Sequence, residues 1–396
     1  MKLRLTRAQE ELRDSLRAFL DAELPPEHEE GPESAEWAPD EEYEWIRAFN
    51  RRMGAAGWLV PHWPVEYGGR GLGILEQVIV REELAYRRAP LINPNGLSML
   101  GPILMKEGTE EQKALHLPGI ASGDVIWAQG YSEPNAGSDL AALQMRAERD
   151  GDEYVLNGQK TWTSSGMRAQ WMFLLARTSK EKRRQEGITF LLVDMRTPGI
   201  EVRPIASMTG TVTFAEEFFT DVRVPIENRV GEEGDGWRVG KSLLSFERSN
   251  IARAARERRI LDDLIAYCRT QAGTLRDPLA DPIARSELGR MIERVEVGRA
   301  ICYRVAAMQA EGHVPPHMAS ISKLYHSEFA AELVDVGSRL LGEYGNVMPG
   351  DPHCLARGQF SLGVMKQLLH KIGAGTSEIQ RDIIAQTGAQ LPKSAR

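Results

Sequence analysis

The chain has 396 residues, with 49 Lys+Arg against 56 Asp+Glu and a formal net charge of -7. At 42% hydrophobic and 27% charged residues, it has the composition of a globular protein with two or three domains and a large core. No global basic field is present to coat nucleic acid, whereas an anionic small ligand needs only a local positive site.

Near the start, Leu12, Leu16, Phe19 and Leu20 recur at helical spacing. They predict a charged amphipathic helix of the mature fold rather than a signal peptide, which needs a continuous apolar core. No stretch approaches the ~18 apolar residues of a membrane span. The three cysteines, Cys268, Cys302 and Cys354, are dispersed and odd in number. They suggest neither a disulfide framework nor a CxxC metal pair, so a reducing, cytoplasmic setting is expected.

Residues 1–122 read as mostly helical, interrupted by an acidic, proline-bearing loop from Asp21 to Glu44. Residues 123–232 change pattern. YVLNG, WMFLLART, GITFLLVDM, IEVRPI and EEFFTDVRVP are short, rich in β-branched or aromatic residues, and bounded by turn formers, as in an all-β unit. Residues 233–396 return to helices, predicted over 237–271, 283–311, 319–341 and 358–372. The fold class is therefore α+β and multidomain, in the order helical, β, helical.

Gly68-Gly69-Arg70-Gly71-Leu72-Gly73 superficially matches a dinucleotide loop, but no βαβ unit surrounds it. There is no P-loop, no HExxH and no metal-ligand spacing among the eight histidines, so no metal is expected. Two clusters are more informative. Tyr131-Ser132-Glu133-Pro134-Asn135-Ala136-Gly137-Ser138-Asp139 can present N–H and hydroxyl groups to an anion, or can be a capped turn. Asn157-Gly158-Gln159-Lys160-Thr161-Trp162-Thr163-Ser164-Ser165-Gly166 starts with a hairpin-type Asn-Gly and sets a tryptophan beside hydroxyls. Trp162 can cover a flat cofactor or fill a core.

These clusters, with Pro64-Val65-Glu66-Tyr67-Gly68-Gly69, FFTDVRVP at 218–225 and KIGAGTSEIQR at 371–381, resemble the acyl-CoA dehydrogenase family of flavoproteins over essentially the whole chain. The resemblance implies an N-terminal helical domain, a central β-barrel and a C-terminal four-helix bundle, with FAD between the last two. It implies α,β-dehydrogenation of an acyl-CoA thioester, with electron-transfer flavoprotein as the expected electron acceptor. Tyr131, Ser132 and Glu133 would lie along the flavin pyrimidine, and Trp162 and Ser164 beside the ring and N5. Thr376 and Glu378 would fall in the segment passing the ribityl and phosphates. Ser138, Arg248, Ala374 and Gly375 would be on the substrate side.

The reaction needs a carboxylate to remove the α-proton. The family's usual glutamate position is occupied here by Ala374, whose N–H could still polarise the thioester carbonyl. Glu247 is i+4 from Leu243, i+3 from Leu244 and i−4 from Ile251, inside an apolar helical stripe. Desolvation there should raise its pKa toward the range of a base; the alternative is a structural partner of Arg248. Resemblance to the isovaleryl-CoA-type members, which carry the base in a Glu-Arg pair on this helix, implies that Glu247 is the base.

A second departure lies where homotetrameric members reach the neighbour's FAD adenosine diphosphate. The expected Arg and Phe fall near Gln271 and Thr274, the expected Gln is Ser338, and Glu343 adds a negative charge. A pyrophosphate would be held poorly there. The pattern is similar to that of bacterial members acting on steroid CoA thioesters. It implies a heterotetramer with a paralogue (α2β2 in subunit notation), against a homotetramer with altered contacts. The alternative activities are an acyl-CoA or nitroalkane oxidase, and a non-catalytic partner subunit.

Overall fold

The computed structural model describes residues 4–26, 38–242, 250–274, 277–313 and 315–392. The helices are α1 (Arg7–Glu23), α2 (Asp40–Ala55), α3 (Ile74–Tyr86), α4 (Gly101–Glu107), α5 (Glu110–Ala121), α6 (Gly236–Ser242), α7 (Ile251–Thr270), α8 (Pro282–Ala310), α9 (Pro316–Leu341), α10 (Gln359–Ile372) and α11 (Ser377–Ile383). The strands are β1 (Trp127–Gly130), β2 (Arg146–Asp150), β3 (Glu153–Thr163), β4 (Trp171–Arg177), β5 (Ile188–Asp194), β6 (Ile200–Ala206), β7 (Val212–Pro225) and β8 (Arg229–Val230). No helix of the described residues is long and apolar enough to cross a membrane.

Two compact units form, and they do not follow chain order. One comprises residues 34–71 and 90–247. The other gathers residues 1–33, 72–89 and 248–396, so α1 and α3 join the C-terminal helices.

The first unit is organised by an eight-stranded sheet in the order β6-β7-β3-β2-β4-β5-β8, with β1 paired parallel to β4. Its β2–β3 hairpin turns at Gly151-Asp152, between the paired Asp150 and Glu153. Glycine first in a two-residue loop suits that turn, because its φ of +62° costs glycine little. Asn157-Gly158, expected as a hairpin turn, lies instead in mid-strand at a register shift of β3 against β7. Asn157 bonds Asp221 through both its amide atoms, and a Cβ on Gly158 would meet Met145 at 2.9 Å. The sheet's core includes Tyr154, Leu156, Met172, Leu174, Leu191, Val193, Val222 and Val224.

The Gly68–Gly71 segment is a close-packing turn. A Cβ on Gly69 would lie 2.0 Å from the Trp63 carbonyl oxygen, and Arg70 stacks over Trp58. These contacts account for the glycines without a dinucleotide.

The second unit is a helical bundle whose core joins Leu261, Leu264, Met291, Val295, Phe329, Leu333, Val336 and Phe360. The helix expected over 237–271 has Asn250 in the left-handed region at φ +56°, just before α7. Glu247 and Arg248, the expected base and its neighbour, lie outside the described residues. On α7, Arg258 meets Asp262 and Glu296, and Arg259 meets Asp263, so these two arginines offer little free charge to a phosphate.

Candidate functional site

In the sheet unit, the 131–139 loop folds back on itself: Glu133 and Ala136 exchange backbone hydrogen bonds across Pro134-Asn135. The loop is tied to β3, where Thr161 N–H donates to the Ser132 carbonyl at 3.0 Å. Beneath it lies Lys160, fully buried. Its ammonium donates to Glu133 Oε1 at 2.9 Å, the Leu175 carbonyl at 2.7 Å and the Tyr131 carbonyl at 3.3 Å. Glu133 is also buried, and its carboxylate additionally accepts from the Gln144 and Met145 N–H groups. A buried ion pair with this many hydrogen bonds is well compensated.

Glu133, expected along the flavin pyrimidine, spends its carboxylate on the protein interior. Tyr131 packs edge-on to Phe173, with its hydroxyl against α6 at Gly240. Burial pushes that hydroxyl's pKa up. With both side chains engaged inside the protein, the 131–133 segment offers a ligand its backbone and the Ser132 hydroxyl. Ser132 and Ser164 are half-buried and Ser138 is exposed, and their hydroxyls have no partner among the described residues.

Trp162 is 60% exposed and has a φ of +62°, a conformation that a bulky residue rarely adopts. Its ring meets Phe214 edge-on, with centroids 6.0 Å apart. The register shift between Lys160 and Thr163 changes the strand's parity, so Thr163 faces in and Trp162 faces out. Thr163 Oγ1 donates to Glu217 at 2.7 Å, and Glu217 is fully buried. Burial raises the Glu217 carboxyl to about 7, with Thr163 and Lys160 opposing the rise. The protein thus holds an exposed indole in a strained backbone on a buried polar base, a platform for a flat aromatic ligand flanked by free hydroxyls.

In the helical unit, α10 ends at Ile372 and α11 starts after its N-cap Thr376, whose Oγ1 accepts from Ile379 N–H at 3.2 Å. Ala374 and Gly375 between them have φ of +54° and +86°. Lys323 of α9 donates to the Gly375 carbonyl at 2.6 Å and the His370 carbonyl at 3.2 Å. Gln380 Nε2 reaches the Ala374 and Gly375 carbonyls at 3.5 and 3.4 Å. The Ala374 N–H has no partner among the described residues and lies at the surface. Glu378 is exposed, and backbone N–H groups at the helix start hold its carboxyl below the ordinary range. As an anion it would repel a phosphate, so this segment could serve one only through its backbone and Thr376.

Behind α9 lies a buried chain of polar contacts. His326 Nδ1 meets Glu257 Oε2 at 2.7 Å, and His326 Nε2 meets Cys302 Sγ at 3.1 Å. Burial opposes the imidazolium, but the Glu257 carboxylate and Cys302 raise His326 to about 10. Among the described residues, no group of three His, Cys, Asp or Glu could hold a metal.

Sequence reasoning missed Lys160, Glu217, Lys323 and the Glu257–His326–Cys302 chain. A signal existed for Lys323 and His326. With Ser320, Ser322 and Ser327 they make a run of buried polar residues in the first half of α9, ahead of the buried Phe329, Ala331, Leu333, Val334 and Val336.

The chain matches the family descriptions "Acyl-CoA dehydrogenase, N-terminal domain" over residues 6–124, "middle domain" over 128–222 and "C-terminal domain" over 234–389. It is 38% identical to acyl-CoA dehydrogenase IpdE1 of Mycobacterium tuberculosis over 90% of each chain. It is 32% identical to mitochondrial isovaleryl-CoA dehydrogenase of Bos taurus, over 96% of this chain and 88% of that one. Among solved structures, the Tcur3481-Tcur3483 steroid ACAD superposes with a TM-score of 0.90 at 33% identity, covering 100% of both chains. The ChsE4-ChsE5 complex from Mycobacterium tuberculosis gives 0.87 at 34%, again covering 100% of both. With these matches across its full length, the chain belongs to the acyl-CoA dehydrogenase family.

Proposed function

We propose that this FAD-dependent acyl-CoA dehydrogenase acts on a bulky, steroid-type acyl-CoA as one subunit of a heterotetramer with a paralogue, with Glu247 as its base. The observation that carries the reading is the exposed, strained Trp162 beside the unpartnered hydroxyl of Ser164. Strain at an exposed aromatic persists where a ligand uses it. FAD, when bound, supplies the acceptor for the hydride leaving the substrate β-carbon. The chain's own residues bind, orient and move the proton. Trp162 would cover the flat ring, and Ser164, Ser132 and the 131–133 backbone would hydrogen-bond its polar edge. Ala374 N–H takes the thioester oxygen and so acidifies the α-carbon, whose proton Glu247 accepts.

Support for a heteromer comes from the other end of the cofactor. A groove of about 380 Å³ is lined by Tyr267, Gln271, Tyr344, Pro352, His353, Cys354 and Leu355, with no Lys or Arg among them. Exposed Glu343 stands nearby in sequence. The pyrophosphate of FAD carries about two negative charges and needs cations or N–H donors, so these residues fit it poorly. Both of these solved neighbours carry two-component names, and one is named a steroid ACAD. The proposed segment limits near 122 and 232 lie close to the gaps between the family matches. The free thiols Cys268, Cys302 and Cys354 suit the cytoplasm.

The test is flavin bleaching under anaerobic conditions with branched and steroid acyl-CoAs, for the chain alone and co-expressed with a paralogue. One FAD per chain and full turnover by the chain alone would remove the heteromer. Glu247→Ala should slow substrate-dependent bleaching by about 10²–10⁴-fold; a wild-type rate removes Glu247 as base.

A further inference from the structure

Lys323 is 8% exposed and points into the turn that carries Ala374. Its two acceptors sit on either side of that residue. His370 is in the last turn of α10, where carbonyls lack helical partners, and Gly375 immediately precedes the N-cap of α11. One ammonium therefore ties the end of one helix to the start of the next. Ala374 lies between the two tethered carbonyls, in a left-handed conformation that an alanine does not favour unaided. Gln380 supports the same turn through longer contacts, and a Cβ on Gly375 would lie 2.6 Å from Gln380 Nε2.

The chemistry of Lys323 differs from that of a structural lysine. Among the described residues no carboxylate contacts it; its partners there are carbonyls. Desolvation and Arg253 on α7 lower it to about 8, and Glu378 opposes. A cation held at that cost on the carbonyls of a turn favours negative charge developing at the N–H of the same turn.

We propose that Lys323 is a positioning residue for the dehydrogenation: it clamps the Ala374–Gly375 turn so that the Ala374 N–H is presented, with a positive charge behind it, to the thioester oxygen. The proposal rests on the reading of Ala374 given above. It explains how the turn keeps its geometry where Ala374 replaces the family's usual glutamate. Lys323 touches neither substrate nor cofactor; it acts through the turn.

The experiment uses the holoenzyme, with its paralogue if one is required. Three variants, Lys323→Met, Lys323→Arg and Lys323→Gln, are compared using an acyl-CoA that the wild type oxidises. The second probe is the thioether analogue in which CH2 replaces the thioester carbonyl. Lys323→Met should lower kcat by about tenfold or more, since losing an oxyanion donor outright costs about 10²–10³-fold. It should bind the thioether, which has no oxygen to polarise, within about twofold of wild type. Lys323→Arg, which keeps charge and donors, should restore most of kcat. Wild-type kcat in Lys323→Met, or equal weakening of thioester and thioether binding, overturns the assignment. Should Lys323→Met fail to assemble, Lys323→Gln carries the same comparison with a neutral donor. If the wild type oxidises no acyl-CoA, the activity reading itself falls, which is distinct from wild-type turnover that is indifferent to Lys323.

Discussion

Two surface segments in this protein are built alike and supported differently. The Trp162 end of β3 in the sheet unit and the Ala374 turn of the helical unit each hold a non-glycine residue at positive φ. Each has a buried lysine bonded to backbone carbonyls behind or beside it. Lys160 also has Glu133 at 2.9 Å, and Glu217 acts on its charge, so it is embedded in a compensated ionic cluster. Among the described residues, Lys323 meets carbonyls. The difference teaches what each lysine is for. A paired buried charge mainly maintains structure, because removing one partner strands the other. A partly desolvated charge held on the carbonyls of a turn is costly to keep and is better explained by the geometry and field it gives that turn.

The sharpest way to break this comparison is to remove each lysine in turn. Lys160→Met should destabilise the protein by about 3–5 kcal/mol in urea unfolding, the usual cost of stranding a buried charge. Lys323→Met loses two hydrogen bonds to carbonyls and should cost about 1–3 kcal/mol, with its larger effect on kcat. Equal losses of stability would make both lysines structural.

Glu217 sharpens the sheet-unit side. Its folded pKa, about 7, lies above its ordinary 4.5, so the native state binds more protons between those values. Stability should therefore fall as pH rises from about 4.5 through 7, and the loss should persist above. Glu217→Gln removes this slope, gaining up to ~3 kcal/mol over wild type by pH 8 in melts across that range. A difference independent of pH would show that Glu217 is not protonated near neutrality.

The smallest effect concerns strain. Trp162→Gly should raise the stability of the flavin-free protein by about 1 kcal/mol, because glycine tolerates the left-handed backbone. The same change should weaken flavin retention. A loss of stability would mean that the indole packs against the protein more than its exposure shows.

The order of helical, β and helical segments, the family, and the clusters around Trp162 and Ala374 are all legible in the sequence. They depend on local periodicity and on residue types at short spacing. The α8, α9 and α10 limits fall within a few residues of expectation for the same reason, with Asp281-Pro282 and Gly358 as start signals. Even the β2–β3 turn had a local signal, glycine at 151 after Asp150, although Asn157-Gly158 carried the expectation instead.

What only the tertiary structure decided is which way side chains face. Strand alternation would place Trp162 on the same side as Tyr154, Leu156 and Lys160; the register shift against β7 turns it outward. The Glu133 carboxylate and the Tyr131 carbonyl are engaged by Lys160, nearly thirty residues further along the chain. α3 joins the C-terminal helices, and Lys323 finds its acceptors about fifty residues further along the chain. Each of these outcomes is set by a long-range contact. Burial and hydrogen-bond satisfaction are summed over the whole fold, so no local window of sequence determines them.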